Sequence, residues 1–410
     1  FYPAADVTLM AKQLPWLKDV NFVNKLNIFA NYGVLGNSRY SSKLGKYYYT
    51  SQPYQTIAGI VRSNVPNTKL KAERDYTLNV GLETSLWNNR LQLGATYYNI
   101  NAKDVLMTGI RSSILGTSTY YNNDGEISSK GVELSLAVSP IYNSDWKWTV
   151  GGNLTTLKNQ VKSLGDISNI ITTLDDDAQI ITMVGEDPYS FYGFKTKGVF
   201  ATTDEAKAAD LRNRSGIAYE AGDVHYVDVN NDHIINDADR QVLGSATPDF
   251  FGSIFSRLEY KNFALDITLA YSVGNDAYNA VRRITESGKD FSNQSISMAR
   301  RWSMEGQQTD IPRASYGDRV GNNEFSDRWI EDASYLKVRD ITLSYTWDKP
   351  LWNFLLGGTV FVSGENLFTF TDYLGLDPEF SYSNSTMMQG VDYAKVCAPR
   401  SVKFGVNLKF

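Results

Sequence analysis

The sequence predicts an all-β fold, and within that class a transmembrane antiparallel β-barrel with long extracellular loops. Three patterns carry this reading. Apolar and polar residues alternate over stretches of about ten residues or more, the length a tilted strand needs to cross a bilayer; soluble strands usually run about five or six. Short turns alternate with very long connections, as in a barrel with tight periplasmic turns and large outer loops. The chain also closes on a strand, Arg400–Phe410, in which Val402, Phe404, Val406, Leu408 and Phe410 alternate with Ser401, Lys403, Gly405, Asn407 and Lys409. That is one greasy face against one wet face, with an aromatic at the last position.

Composition narrows the class. The 410 residues carry a net charge of −5 and no basic cluster, which argues against a nucleic-acid partner. Mean hydropathy is −0.33, and no apolar run approaches the roughly 18 residues of a membrane helix. A barrel is not excluded by this, because alternating strands hide in an average. Aromatics make up 13% of the chain, a level that suits girdles at two membrane interfaces and also a Tyr-rich carbohydrate-binding protein. The single Cys397 excludes an intrachain disulfide, and with only His225 and His233 a His-based metal or catalytic site is not expected.

Taken in order, Leu26–Tyr32 alternates weakly and runs into Gly33–Asn37, which reads as a turn. Tyr47, Tyr48 and Tyr49 suggest a strand near an interface, and Pro53–Leu70, with Pro53 and Pro66, reads as a loop. The clearest hairpin follows. Tyr76, Leu78, Val80, Leu82 and Leu86 share one face, Trp87–Arg90 turns, and Leu91, Leu93, Ala95 and Tyr97 return. Val132–Val138 and Trp146–Leu154 repeat the pattern around a turn at Pro140–Asp145. Ile254–Tyr260 and Phe263–Val273 repeat it around Lys261 and Asn262. Ile341–Trp347 is another strand, and Val360–Phe368 is a strand of ambiguous phase. Glu83, Glu133, Arg257, Glu259 and Asp266 all fall on the non-apolar phase, and the connections Lys162–Asp249 and Asn275–Trp329 are very long. Such loops are uncommon in compact soluble domains, which leaves a large multi-sheet soluble β-protein as the weaker alternative.

The most specific local motif lies at residues 228–239. Asp228, Asn230 and Asp232, then Ile234, Asn236 and Asp239, fall at positions 1, 3, 5, 7, 9 and 12 of an EF-hand-type loop. Hard cations take six to eight oxygens, which this Asp/Asn alternation and the Ile234 carbonyl would supply, so Ca²⁺ is the expected ion. Two departures weaken the expectation. His233 stands where Gly normally permits the sharp turn, and Asp239 is shorter than the usual bidentate Glu. A loop rich in Asx turns with no metal gives the same string. No nucleophile elbow, Ser/His/Asp grouping, phosphate loop or Cys/His metal site is present in the sequence, so no enzyme is expected and no catalytic residue is named.

These residues resemble SusC-like (SusC/RagA) TonB-dependent outer-membrane transporters. The segment from Gly222-Asp223 through Asp239-Arg240, Leu243-Gly244 and Pro248-Asp249-Phe250 is similar to a signature of that family. Other stretches agree in order: Leu26 to Asn37, Lys71-Ala72-Glu73-Arg74, Asn123 to Leu134, Asp187-Pro188 to Phe200, Arg301-Trp302 with Thr309 to Arg313, Ser334 to Arg339, and Glu365 to Phe368. A strand ending in Phe410 is similar to the family's closing strand. His233 and Cys397 depart from the pattern.

The resemblance implies the C-terminal roughly half of a twenty-two-stranded barrel. Residues 1–410 would be barrel, and the plug domain and TonB box would lie outside this chain. It implies a Gram-negative outer-membrane location, surrounding lipid and a SusD-like surface lipoprotein as lid. It implies a TonB complex engaged through the N-terminal part, and active import of a nutrient, oligosaccharide or peptide. A SusC-like barrel serving as a structural or assembly component of a larger complex is the second reading, and a passive porin or outer-membrane enzyme the third. No substrate-binding residue is named. Tyr120, Tyr121, Tyr189 and Tyr192 in the long loops are expected either at a mouth meeting lid or cargo, or in an interface girdle.

Overall fold

A computed structural model describes residues 1–37, 42–55, 57–110, 119–348, 350, 355–380 and 382–410. Among them no helix is long and apolar enough to cross a membrane. The chain forms two compact units, Phe1–Ile170 with Met183–Pro188 and Gly252–Lys261, and Ile171–Thr182 with Tyr189–Phe251 and Asn262–Phe410.

The first unit is an antiparallel sheet of β1 (Ala4–Met10), β2 (Val23–Asn37), β3 (Glu73–Leu86), β4 (Leu91–Ile110), β5 (Thr119–Tyr142) and β6 (Trp146–Thr156), adjacent in that order. Its register matches like with like. Ile28 faces Leu82, Leu82 faces Ala95 and Ala95 faces Leu134, while Val80, Tyr97 and Val132 form the next row. These apolar side chains are largely exposed, as on a lipid-facing wall. The other phase is polar: Lys25 pairs with Glu83 at 2.6 Å, and Asn79 donates to Asn31 at 2.8 Å. The β3–β4 turn is the expected Trp87–Arg90, with Trp87, Asn88 and Asn89 all left-handed and Asn24 Oδ1 accepting the Asn88 N–H at 2.7 Å. At the next turn Asn143 Oδ1 accepts the N–H groups of Asp145 and Trp146, an Asx turn. Residues Gly252–Lys261 of β7 (Phe250–Tyr260) join this unit, with the Trp146 and Tyr260 rings 4.3 Å apart beside the short turn.

In the second unit β8 (Phe263–Val273), β9 (Tyr335–Trp347), β10 (Gly357–Thr371) and β11 (Ser401–Lys409) run antiparallel in that order. Leu265 faces Leu343 and Ile267 faces Ile341 on the apolar phase; Asp266 faces Thr342 and Thr268 faces Asp340 on the polar one. Val402, Phe404, Val406, Leu408 and Phe410 are exposed on the apolar face of the last strand, as its alternation predicts. The ambiguous phase of Val360–Phe368 has a physical cause. Phe361 lies on the polar phase, flat against Gly405, where a Cβ would sit 2.2 Å from its ring. A bulge then sets Asn366 and Leu367 against Arg339, with Asn366 left-handed.

Four expectations about elements are corrected. Gly33–Asn37 is not a turn: Gly33 pairs with both Ala4 and Thr77, so β2 runs straight through. Pro53–Leu70 is not all loop, because Tyr49–Tyr54 and Ile57–Arg62 form a two-stranded hairpin; a ladder with outer edges on both sides tolerates Pro53. The strand expected around Tyr47 begins at Tyr49. Pro140 lies inside β5, where a register shift between Val138 and Ile141 accommodates it.

The long connections of the second unit are folded rather than open. One core gathers Phe194, Phe200, Leu211, Tyr219, Val224, Tyr226, Ile235 and Val320. A second gathers Ile180, Phe191, Tyr278, Phe325, Trp329 and Val391.

Candidate functional site

The loop at residues 228–239 springs from the first of these cores. It follows the short strand Val224–Tyr226, passes the strand Ile234–Ile235, and ends in the 3-10 turn Asp237–Asp239. Asx turns shape it. Asp228 accepts the N–H groups of Asn231 and His233 at 2.7 and 2.8 Å. Asn230 accepts that of Asp232 at 3.1 Å, and Asp232 that of Ile234 at 2.8 Å. Asn236 caps Ala238 at 2.9 Å, while the fully buried Asp239 closes the loop on the N–H groups of Val229 and Asn236, both at 2.9 Å. His233 takes the left-handed conformation, φ +62°, that the sixth position of an EF-hand-type loop requires. The six predicted residues therefore share one loop of the expected turn geometry. Their carboxylates, however, are spent on the loop's own N–H groups. Among the described residues no three His, Cys, Asp or Glu side chains converge to hold a metal.

Two polar constellations, not expected from the sequence, hold the surrounding loops. Arg313 grips Asp223 with two contacts, Nε–Oδ1 at 2.8 Å and Nη2–Oδ2 at 2.9 Å, and reaches Glu220 at 3.0 Å. Asn322 donates to Asp223 at 2.8 Å and accepts the Val224 N–H at 2.8 Å. The adjoining Gly222, at φ +86°, lies against the Trp302 ring, where a Cβ would sit 2.4 Å away. The Gly-Asp and Pro-Arg segments quoted as sequence signatures are thus two halves of one clasp. In the other constellation Lys337, 1% exposed, donates to Asp377 at 2.8 and 3.0 Å and to Glu379 at 3.0 Å, while Arg339 also pairs with Glu379. Nearby, Tyr393 donates to Asp176 at 2.7 Å and Arg283 donates to the Asp176 carbonyl at 2.8 Å.

Electrostatics in this region follow burial. Asp318 is pushed above the usual carboxylate range by burial, against the pull of the Asn323 and Asn322 N–H groups. His225, stacked on Phe200 with ring centroids 4.2 Å apart, is held below the usual imidazole value by burial and then by Lys197. Of the loop tyrosines, Tyr120 and Tyr121 lie within β5 of the first unit. Tyr192 belongs to the strand Ser190–Phe194 and Tyr189, left-handed at φ +60°, sits just before it, both in the second unit. On the polar face of the first unit, Lys25, Glu83, Gln92, Glu133 and Asn153 border a cavity of about 830 Å³. These side chains give the face the mixed, charged and hydrogen-bonding character of a polar lumen wall.

Comparison with known proteins agrees with this architecture. The family described as TonB dependent receptor-like, beta-barrel matches residues 16–367. TonB-dependent receptor P3 of Formosa agariphila is 30% identical over 100% of this chain and 42% of its own length. TonB-dependent receptor SusC of Bacteroides thetaiotaomicron is 25% identical over 100% of this chain and 40% of its own. The solved RagAB peptide transporter superposes with a TM-score of 0.82 over 100% of this chain and 43% of that one, at 22% identity, which speaks to fold. The chain thus spans about two fifths of the length of these relatives. It belongs to the TonB-dependent receptor-like β-barrel family, whose members are receptors of the outer membrane and not enzymes.

Proposed function

We propose that this chain supplies barrel strands to a TonB-dependent importer that takes up an oligosaccharide or a peptide together with a SusD-like surface lipoprotein. The observation that carries this is the division of each sheet into an exposed apolar face and a charged, hydrogen-bonded face, within a family-wide match. The name of one similar structure, a peptide transporter, supports the peptide class; the oligosaccharide class rests on the sequence resemblance alone. The share of the relatives' length supports reading residues 1–410 as barrel within a longer receptor that carries plug and TonB box elsewhere. The test is uptake by cells making the full-length receptor, with and without a working TonB complex. Energy-dependent uptake that vanishes without TonB is the expected result. A receptor present in the membrane but dispensable for uptake of any cargo favours the assembly role instead.

We also infer that the loop at 228–239 takes one Ca²⁺, through Asp228, Asn230, Asp232, Asn236 and Asp239 side chains and the Ile234 carbonyl. Support comes from the spacing, the all-oxygen donor set and the left-handed His233. Because the carboxylates already satisfy N–H groups, binding falls in the weak extracellular range, roughly 10⁻⁴–10⁻³ M. Calcium titration of the full-length receptor, read by protease resistance around residue 230, checks this.

A further inference from the structure

In the second unit the helix Ala280–Thr285, the turn Ile296–Arg300 and the segment around Leu374 enclose a cavity of about 500 Å³, within the usual size of small-ligand sites. Its back wall is fixed and electrically matched. Arg282 bridges Glu286 at 3.0 Å and Glu331 at 2.9 Å. Glu286, 5% exposed, also accepts the Ser297 hydroxyl at 2.6 Å, and Glu331 accepts the Leu374 N–H at 2.9 Å.

The mouth is different. Arg300 and Asp310 line it and are exposed, and neither side chain has a hydrogen bond or ion pair among the described residues. Beside them Leu374 and Leu376 are 71% and 79% exposed on a backbone held in place at Glu331. Among the described residues no aromatic lines the cavity. A neutral sugar would find no ring to stack on and would leave the cation and the anion to water. A short peptide with free termini answers both and offers aliphatic side chains to the leucines.

We infer that this cavity is a binding site for short aliphatic peptides, the carboxylate on Arg300 and the ammonium on Asp310. The inference rests on the import reading above and names its cargo class as peptide rather than oligosaccharide.

The test uses the full-length receptor, purified with the companions that copurify, and an unlabelled Ala-Leu-Val-Leu peptide with both termini free, its binding followed by isothermal titration calorimetry. Arg300→Ala and Leu376→Asp should each weaken binding about tenfold or more, the scale of one lost charge-assisted contact. Amidating the peptide's C-terminus should weaken binding to the parent receptor similarly and cost nothing further in Arg300→Ala, since both remove one pair. Arg300→Lys, which keeps the charge, should restore most of the affinity and excludes misfolding. An amidation penalty that persists in Arg300→Ala overturns the assignment, as does displacement of the peptide by cellotetraose or unchanged binding to Leu376→Asp. Uptake separates the two readings. Peptide uptake indifferent to both variants removes this site and leaves import standing. Variant-sensitive binding without TonB-dependent uptake removes import and leaves the site.

Discussion

Replacing Ile267 by Arg tests the membrane assignment at a single residue. Ile267 lies on the apolar phase of β8, opposite Ile341 and between Leu265 and Leu269. The lower end of this phase is marked by the Phe263 and Tyr345 rings, 4.8 Å apart beside the short turn. A strand rising roughly 3.4 Å per residue at ~40° tilt advances roughly 2.6 Å per residue along the membrane normal, so an apolar band of roughly 25 Å spans about ten residues. Counted from Phe263, its midpoint falls at residues 267–268. A basic side chain there costs about 2–4 kcal/mol, a shift of roughly 30- to 900-fold in the folding equilibrium. The control is the next residue. Thr268 is on the polar phase opposite Asp340, so Thr268→Arg gains a carboxylate neighbour and should stay within about 1 kcal/mol of the parent. Reversible urea unfolding of the full-length receptor in lipid vesicles, followed by the mobility shift of folded barrels in gels, reads both variants. Equal losses, or a greater loss at Thr268, would refute the phase assigned to this strand.

Three further outcomes are expected. Asp232→Ala should abolish calcium-dependent protection of the 228–239 loop and leave barrel mobility in gels unchanged; a loop whose proteolysis ignores millimolar calcium in the parent would end the calcium reading. Because the His225 pKa is depressed, its contribution to stability is present above the ordinary value near 6.5 and lost as pH falls through the lowered one. Proteolysis around Phe200–Tyr226 should therefore quicken on acidification from neutral pH. His225→Phe, which keeps the ring stack, should flatten that dependence, and an unaltered profile counts against His225 as the sensor. Lys337→Met strands the buried Asp377 beside Glu379 and should cost about 3–5 kcal/mol, read as earlier thermal release of residues 372–400 to proteolysis.

What was legible in the sequence was what repeats locally. The β3–β4 hairpin, its turn at Trp87–Arg90 and the last strand all carry period two over one exposed and one polar face, and the structure places them as read. The loop at 228–239 was equally visible, because its turn chemistry is contained within twelve consecutive residues. The folded connections were not. Ser190–Phe194 buries Phe191 and Phe194 in two different cores, so no alternation marks it as a strand. Asp223 and Arg313 stand 90 positions apart, and Arg282 and Glu331 stand 49 apart. Each pair is an ordinary charge in an ordinary loop until the fold brings it together.

The bulge at Arg339 shows how one residue can redirect a strand's chemistry. Strict alternation counted back from Ile341 would turn Arg339 toward lipid and Val338 toward the polar side. Because Arg339 is the extra residue, Val338 pairs with Leu269 and Phe368 on the apolar phase and Lys337 moves to the polar one. There Lys337 is buried against Asp377 and Glu379, and Arg339 turns to Glu379 as well. Those two carboxylates lie just beyond Leu374 and Leu376, so the bulge fixes the segment carrying the exposed leucines of the peptide cavity. Deleting Arg339 would leave Val338 and Lys337 opposite the same β8 partners and on the same phases, so its cost falls on the Arg339–Glu379 pair and on the segment that this pair helps to hold, whereas inserting a residue beside Arg339 would turn Lys337 to lipid.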